Sequence, residues 1–144
     1  MKDLSLLAKL LAEEDIHVVH RQQQTAMFDV LNRELSLPIW KDMSKNIQDL
    51  MTLHEVGHAL WTPLEMMDKV KEQKISFSVV NVLEDVRIEK AIQLKYRGAI
   101  KIFNKGYQEL IHSNFFETIG KKIENYNLID LSLIHISEPT RLQQ

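Results

Sequence analysis

The chain contains an HExxH motif, His54-Glu55-Val56-Gly57-His58, inside a helical pattern. Four residues advance an α-helix by about 400°, so the two histidines project from nearly the same face. That spacing allows both imidazoles to reach one tetrahedral Zn²⁺. Glu55 lies about 100° round the helix, where it can take a proton from a water that the metal activates. The motif therefore predicts zinc-assisted hydrolysis of a peptide bond, with His54 and His58 as ligands and Glu55 as the general base.

The residues around the motif predict a central, largely buried helix. Apolar side chains recur on two of its faces at helical steps, namely Met43, Ile47, Leu50, Met51 and Trp61 on one face and Leu53, Val56 and Leu60 on the other. Gly57 destabilises a helix by about 1 kcal/mol relative to alanine, so its position indicates that another element packs closely there. A core helix with two hydrogen-bonded histidines and no metal is the alternative interpretation.

A third ligand is expected in a second predicted helix, residues 76–96, because a catalytic zinc usually has three protein ligands. Glu84 lies in register with Val80 and Ile88, and a carboxylate in such an apolar stripe is unfavourable unless it is paired or bound to metal. Asp85 is the next residue on this helix, and its carboxylate can accept a hydrogen bond from the ring nitrogen of a ligand histidine that does not bind the metal. We predict Glu84 as the ligand and Asp85 as the outer partner, with the reverse assignment left open.

Other polar residues receive simpler interpretations. Glu89 and Arg87 are expected to be solvated or salt-bridged. Tyr96, Tyr107 and His112 are of the types that zinc peptidases use to stabilise a tetrahedral oxyanion, although packing is the simpler role for each.

Composition narrows the classes of function. The 144 residues suit one small domain, and a formal net charge of −2 without a basic run argues against nucleic-acid binding. The absence of cysteine excludes disulfides, thiolate metal sites and cysteine nucleophiles, and it suits a reducing cytoplasm. No segment resembles a secretory signal or is long enough to span a membrane. The partner expected from the HExxH motif is a peptide or protein substrate.

The pattern predicts an α+β fold that is mostly helical, with a small N-terminal sheet ahead of the motif helix. Its other elements are a helix over residues 4–14, a strand over 15–20, a hairpin of 25–30 and 34–37, a helix from Pro63 to residue 71, and helices over 99–112 and 115–126. Asp42 or Ser44 is expected to cap the motif helix. An edge of the hairpin beside the zinc site can pair with an extended peptide.

Four segments resemble HExxH metallopeptidases of large tailed phages: FDVLNR at 28–33, LPIWKDM at 37–43, HEVGHAL at 54–60 and LEDVRIEK at 83–90. The order of strands, motif helix and glutamate-bearing helix also resembles a gluzincin-type zincin core. The resemblance covers residues 1–130. It implies zinc at His54 and His58, Glu84 as the matching acidic position, and the cytoplasm of a phage-infected bacterium.

An alternative function follows from a second resemblance. Similar Glu-Asp-x-Arg helices occur in proteins linked to von Willebrand factor A-type domains and their ATPase partners. The alternative is therefore a non-catalytic zinc-binding module of a phage or ATPase-associated assembly.

The last residues are expected not to be native. LSLIHISEPTR at 131–141 resembles a translated sequencing-library adapter, so residues 131–144 are interpreted as an adapter-derived tail. Residues 1–130 are then expected to be one zincin-like metallopeptidase domain that lacks its natural C-terminal part. His135 is accordingly not counted as a ligand.

Overall fold

The computed structural model describes residues 2–112, and these form an α+β fold that is mostly helical. The elements in chain order are α1 (Lys2–Ala12), β1 (His17–Arg21), β2 (Met27–Asp29), β3 (Glu34–Pro38), α2 (Lys45–Trp61), α3 (Met66–Glu72), α4 (Phe77–Lys95) and α5 (Ala99–His112). The predicted fold class is confirmed at this level. The helix predicted over 115–126 and the tail over 131–144 lie outside the described residues. Among the helices of residues 2–112, none is long and apolar enough to cross a bilayer.

The motif helix α2 is the centre of the fold, as the sequence predicts. Residues 50–59 are all buried, because α1, α4, α5, β2 and β3 pack around this helix. Ser44 is the N-cap, and its hydroxyl accepts a hydrogen bond from the backbone N–H of Ile47. This bond pairs one of the backbone donors that a helix leaves free at its first turn. The Ser44 hydroxyl also donates to Glu109, which joins the start of α2 to α5.

Two glycines allow neighbouring helices to approach α2 closely. A Cβ on Gly57 would lie 2.8 Å from Cδ1 of Ile88 in α4. A Cβ on Gly106 in α5 would lie 2.6 Å from Cβ of Leu50. Neither separation is compatible with normal packing, so larger residues would force the helices apart. The close packing that the sequence predicts at Gly57 is confirmed, and it brings α4 against the motif.

The sheet has the order β1-β3-β2. β2 and β3 are antiparallel, with Phe28 opposite Leu35, which confirms the predicted hairpin, while β1 runs parallel to β3. β2 is therefore an edge strand within the described part of the chain. Its backbone N–H at Phe28 forms a hydrogen bond with the carboxylate of Glu55, so this edge of the sheet lies beside the motif.

The helix predicted to start at Pro63 begins three residues later, at Met66. The residue before a proline is disfavoured in the α region. Thr62 is accordingly extended, with φ −79° and ψ 116°, and it ends α2. Pro63 lies in the following turn, where its carbonyl accepts a hydrogen bond from the backbone N–H of Met66.

Candidate metal centre

The two motif histidines and one acidic residue of α4 bring three ligand atoms together. The Nε2 atoms of His54 and His58 lie 3.2 Å apart. Oδ1 of Asp85 lies 2.9 Å from Nε2 of His58 and 3.5 Å from Nε2 of His54. All three side chains are buried, and together they could hold a metal ion.

The outer nitrogen of each ring is engaged by a hydrogen-bond acceptor. Nδ1 of His54 lies 2.6 Å from Oε1 of Glu89. Nδ1 of His58 lies 2.7 Å from Oγ1 of Thr62, whose own hydroxyl hydrogen goes to Glu84. When a ring is neutral, as a metal ligand must be, its proton therefore lies on Nδ1 and its Nε2 is unprotonated. Two nitrogen lone pairs converge with a carboxylate and no donor lies between them, which is an arrangement that a cation satisfies.

The buried surroundings of Asp85 are the strongest indication that this site binds a cation. Its side chain is fully buried, and its nearest polar neighbours among the described residues are the Nε2 atoms of His54 and His58, which can bond a carboxylate only when they carry a proton. A buried carboxylate without a partner is strongly unfavourable. The pKa of His54 reflects the same electrostatics: burial alone would lower this pKa, but Asp85 and Glu89 raise it well above its ordinary value. The residues present thus fit a metal ion held by His54, His58 and Asp85.

Glu84, the predicted third ligand, is not among the three converging residues. Its carboxylate accepts a hydrogen bond of 2.9 Å from the Thr62 hydroxyl and bonds of 2.6 and 2.9 Å from the Arg87 guanidinium. Burial alone would raise the pKa of Glu84, but these hydrogen bonds outweigh it and lower the pKa. Glu84 supports His58 through Thr62. The structure therefore favours the alternative assignment, with Asp85 in the ligand position and Glu84 outside it.

Asp85 lies nearer to the motif histidines than Glu84 does because the buried face of α4 is rotated by about one residue from its predicted position. Val80, which defines the predicted stripe with Glu84, is only half-buried. The buried face instead follows Asn81, Glu84, Asp85, Ile88, Glu89 and Ile92. Because most members of this face are polar, hydrophobic periodicity cannot locate it.

Glu89 is a site residue that the sequence prediction misses. The expectation that it is solvated or salt-bridged to Arg87 is wrong, since only 2% of its surface is exposed and it lies against His54. Its Oε1 also accepts a hydrogen bond of 2.6 Å from the hydroxyl of Tyr107 in α5. One feature of the sequence could have indicated this position: Glu89 follows Asp85 by four residues, which places both side chains on one helix face.

Glu55 lies in the wall of a cavity of about 660 Å³ that His58 also lines. The rest of the lining is largely apolar and comes from β2, α3, the first turns of α4 and the adjoining loops. Burial raises the pKa of Glu55, and the charges of the two histidines and the hydrogen bond from Phe28 oppose this only in part. A raised pKa suits a carboxylate that has to accept and return a proton.

The side chains considered for oxyanion stabilisation lie elsewhere. The Tyr107 hydroxyl donates to Glu89, and the Tyr96 hydroxyl donates to the backbone carbonyl of Leu11 at 2.8 Å. Neither tyrosine lines the cavity, and His112 does not line it either. A buried polar side chain that does line it is Asn81 of α4, which no pattern in the sequence singled out.

No protein-family model, curated protein or solved structure matches this chain. The resemblance to phage zinc metallopeptidases therefore remains a prediction from sequence motifs.

Proposed function

We propose that this protein is a zinc-dependent peptidase with a zincin-like core, in which His54, His58 and Asp85 hold the metal and Glu55 is the general base. The observation that carries the proposal is the buried ligand triangle beside a cavity that Glu55 lines. A structural metal site is normally closed by four protein ligands. Three ligands next to a cavity are the arrangement expected where a substrate has to reach the metal.

The donor set favours zinc. Two imidazole nitrogens and one carboxylate form a recurrent ligand set of catalytic zinc. Tetrahedral bonds of about 2.0–2.1 Å imply ligand separations of about 3.3–3.4 Å. The separations among His54, His58 and Asp85 are 3.2, 2.9 and 3.5 Å. When bound, zinc would act as a Lewis acid that polarises a carbonyl group and makes a water molecule more acidic.

The chain's own residues supply proton transfer and substrate binding. Glu55 accepts a proton from the attacking water and passes it to the leaving amine. The hydrogen bond from Phe28 ties Glu55 to edge strand β2, so a peptide that pairs with this edge lies beside the general base. The cavity accommodates the side chains that such a peptide would carry.

The decisive experiment compares wild type with Glu55→Gln, using the full chain, zinc content by elemental analysis and hydrolysis of fluorescein-labelled, denatured casein. Both proteins are expected to hold close to one zinc per chain. Hydrolysis by Glu55→Gln is expected to fall by about 100-fold or more, because the general base is lost while the ligands remain. Glu72→Gln, at an exposed position of α3 that does not line the cavity, is the matched control and should retain full activity.

Two results would contradict the peptidase proposal. One is a Glu55→Gln variant that cleaves as fast as wild type. The other is wild type that holds zinc but cleaves nothing. If chelation of that zinc also lowered the melting temperature, the non-catalytic zinc module would be supported instead.

A further inference from the structure

One polar side chain at the cavity has no part in the metal cluster. Asn81 lies on α4 one turn before Asp85, so the two side chains share a helix face. Asn81 lines the cavity together with Glu55 and His58. Its side chain is only 3% exposed, and its Oδ1 has no hydrogen-bond partner among the described residues. The cavity wall therefore contains a buried amide oxygen that the fold leaves without a bond.

An unbonded amide at this position is unfavourable for folding alone. A buried acceptor without a partner costs about 1–3 kcal/mol. Most of the cavity lining is apolar and includes Phe28, Met67 and Phe77, whose side chains provide no donor. Leucine has nearly the same shape as asparagine and would suit these walls better. The amide is thus placed where a ligand in the cavity can bond it.

The chemistry of the amide identifies the class of ligand. An asparagine side chain offers one acceptor oxygen and two N–H donors. A peptide group presents one N–H donor and one carbonyl acceptor, so the two groups are complementary. A peptide bound beside Glu55 presents such groups along its whole length.

We propose that Asn81 binds a backbone peptide group of the substrate next to the cleaved bond and so positions that bond at Glu55. The inference rests on the proposed peptidase function. It assigns Asn81 a role in recognising the peptide backbone, independent of the side chains that the apolar walls accept.

The test is Asn81→Leu, with kcat and KM measured on a fluorescence-quenched peptide taken from the first site that wild type cleaves in denatured casein. We expect kcat/KM to fall about tenfold or more, chiefly through a higher KM, because a bond to the bound substrate is lost. Zinc content should stay unchanged. The melting temperature should stay the same or rise, because an unbonded buried amide has been replaced by an apolar side chain.

Two further variants provide a second substitution at Asn81 and a control at an exposed asparagine. Asn81→Ala adds no volume to the cavity wall, and it should show the same loss of kcat/KM as Asn81→Leu. Asn104→Leu makes the same substitution at an exposed position of α5, and it should leave kcat/KM unchanged.

Distinct results would overturn the inference. A kcat/KM within about twofold of wild type in both Asn81 variants would remove the role of Asn81 and leave the peptidase proposal intact. A lower melting temperature with loss of zinc would show that Asn81 supports the fold or the metal site. Wild type that holds zinc but cleaves no peptide would instead overturn the peptidase proposal, and this inference with it.

Discussion

Nδ1 of His54 and Oε1 of Glu89 lie 2.6 Å apart in the interior, and the hydroxyl of Tyr107 donates to the same oxygen. One carboxylate oxygen therefore joins α2, α4 and α5. The bond holds the His54 ring in the orientation that turns Nε2 towards Asp85, at a separation of 3.5 Å. A carboxylate behind a ligand histidine also makes the imidazole a stronger ligand.

Glu89→Gln is expected to weaken zinc binding. The substitution keeps the shape of the side chain but removes the charge behind His54, and such changes typically reduce metal affinity about 10–100-fold. Competition with a chromophoric zinc chelator would measure the Kd. Glu72→Gln, at an exposed position of α3, should leave the Kd unchanged. An equally small effect in both variants would contradict the positioning role of Glu89.

Asp85→Asn and Glu84→Gln separate the two candidates for the third ligand. Asp85→Asn should abolish stable zinc binding, because it removes the carboxylate that lies 2.9 Å from Nε2 of His58. Glu84→Gln should still hold close to one zinc per chain, since Glu84 reaches His58 only through Thr62. Elemental analysis after gel filtration gives both values. The opposite pattern would restore Glu84 as the ligand.

Gly57→Ala is expected to lower the free energy of unfolding despite the higher helix propensity of alanine. Overpacking against Ile88 costs about 1–3 kcal/mol, whereas the gain in propensity is about 1 kcal/mol. Ile88→Val removes the Cδ1 atom that the new Cβ would meet at 2.8 Å. Urea unfolding should show that Ile88→Val destabilises wild type but stabilises Gly57→Ala. If the effects of Gly57→Ala and Ile88→Val on the free energy of unfolding simply add, the contact between these two positions does not limit the packing.

Glu14→Gln should make stability less dependent on pH in acid. The Arg33 guanidinium binds Glu14 through bonds of 2.6 and 2.8 Å and holds the pKa of Glu14 below its ordinary 4.5. A carboxyl whose pKa is lower in the folded state stabilises the fold above pH 4.5 and loses this effect as pH falls through its folded pKa.

At neutral pH the free energy of unfolding of Glu14→Gln should be at most about 1 kcal/mol lower than that of wild type, because the side chains of Glu14 and Arg33 are both about one-third exposed. This difference should shrink steadily below pH 4.5 when urea unfolding is repeated across the acid range. Glu65→Gln, which lies at an exposed position, is the control. A constant difference at every pH would indicate that Glu14 contributes packing rather than charge.

Much of the fold follows from local patterns. The helix predicted over 76–96 is α4, with Ser76 and Tyr96 as its two caps, and the helix predicted over 99–112 is α5 without change. The predicted hairpin forms with Phe28 opposite Leu35. The parallel pairing of β1 with β3 was not predicted, because it joins segments whose partnership depends on long-range packing.

The histidine pair follows from the sequence without any tertiary information, because helix geometry is local and a spacing of four residues puts His54 and His58 on one face in any fold. Which carboxylate completes the cluster depends on how α4 is rotated against α2. A rotation by one residue, about 100°, exchanges Glu84 for Asp85. That rotation is set by tertiary packing, because it depends on the contact of Ile88 with Gly57 and on polar residues of α4 that are buried against helices distant in sequence.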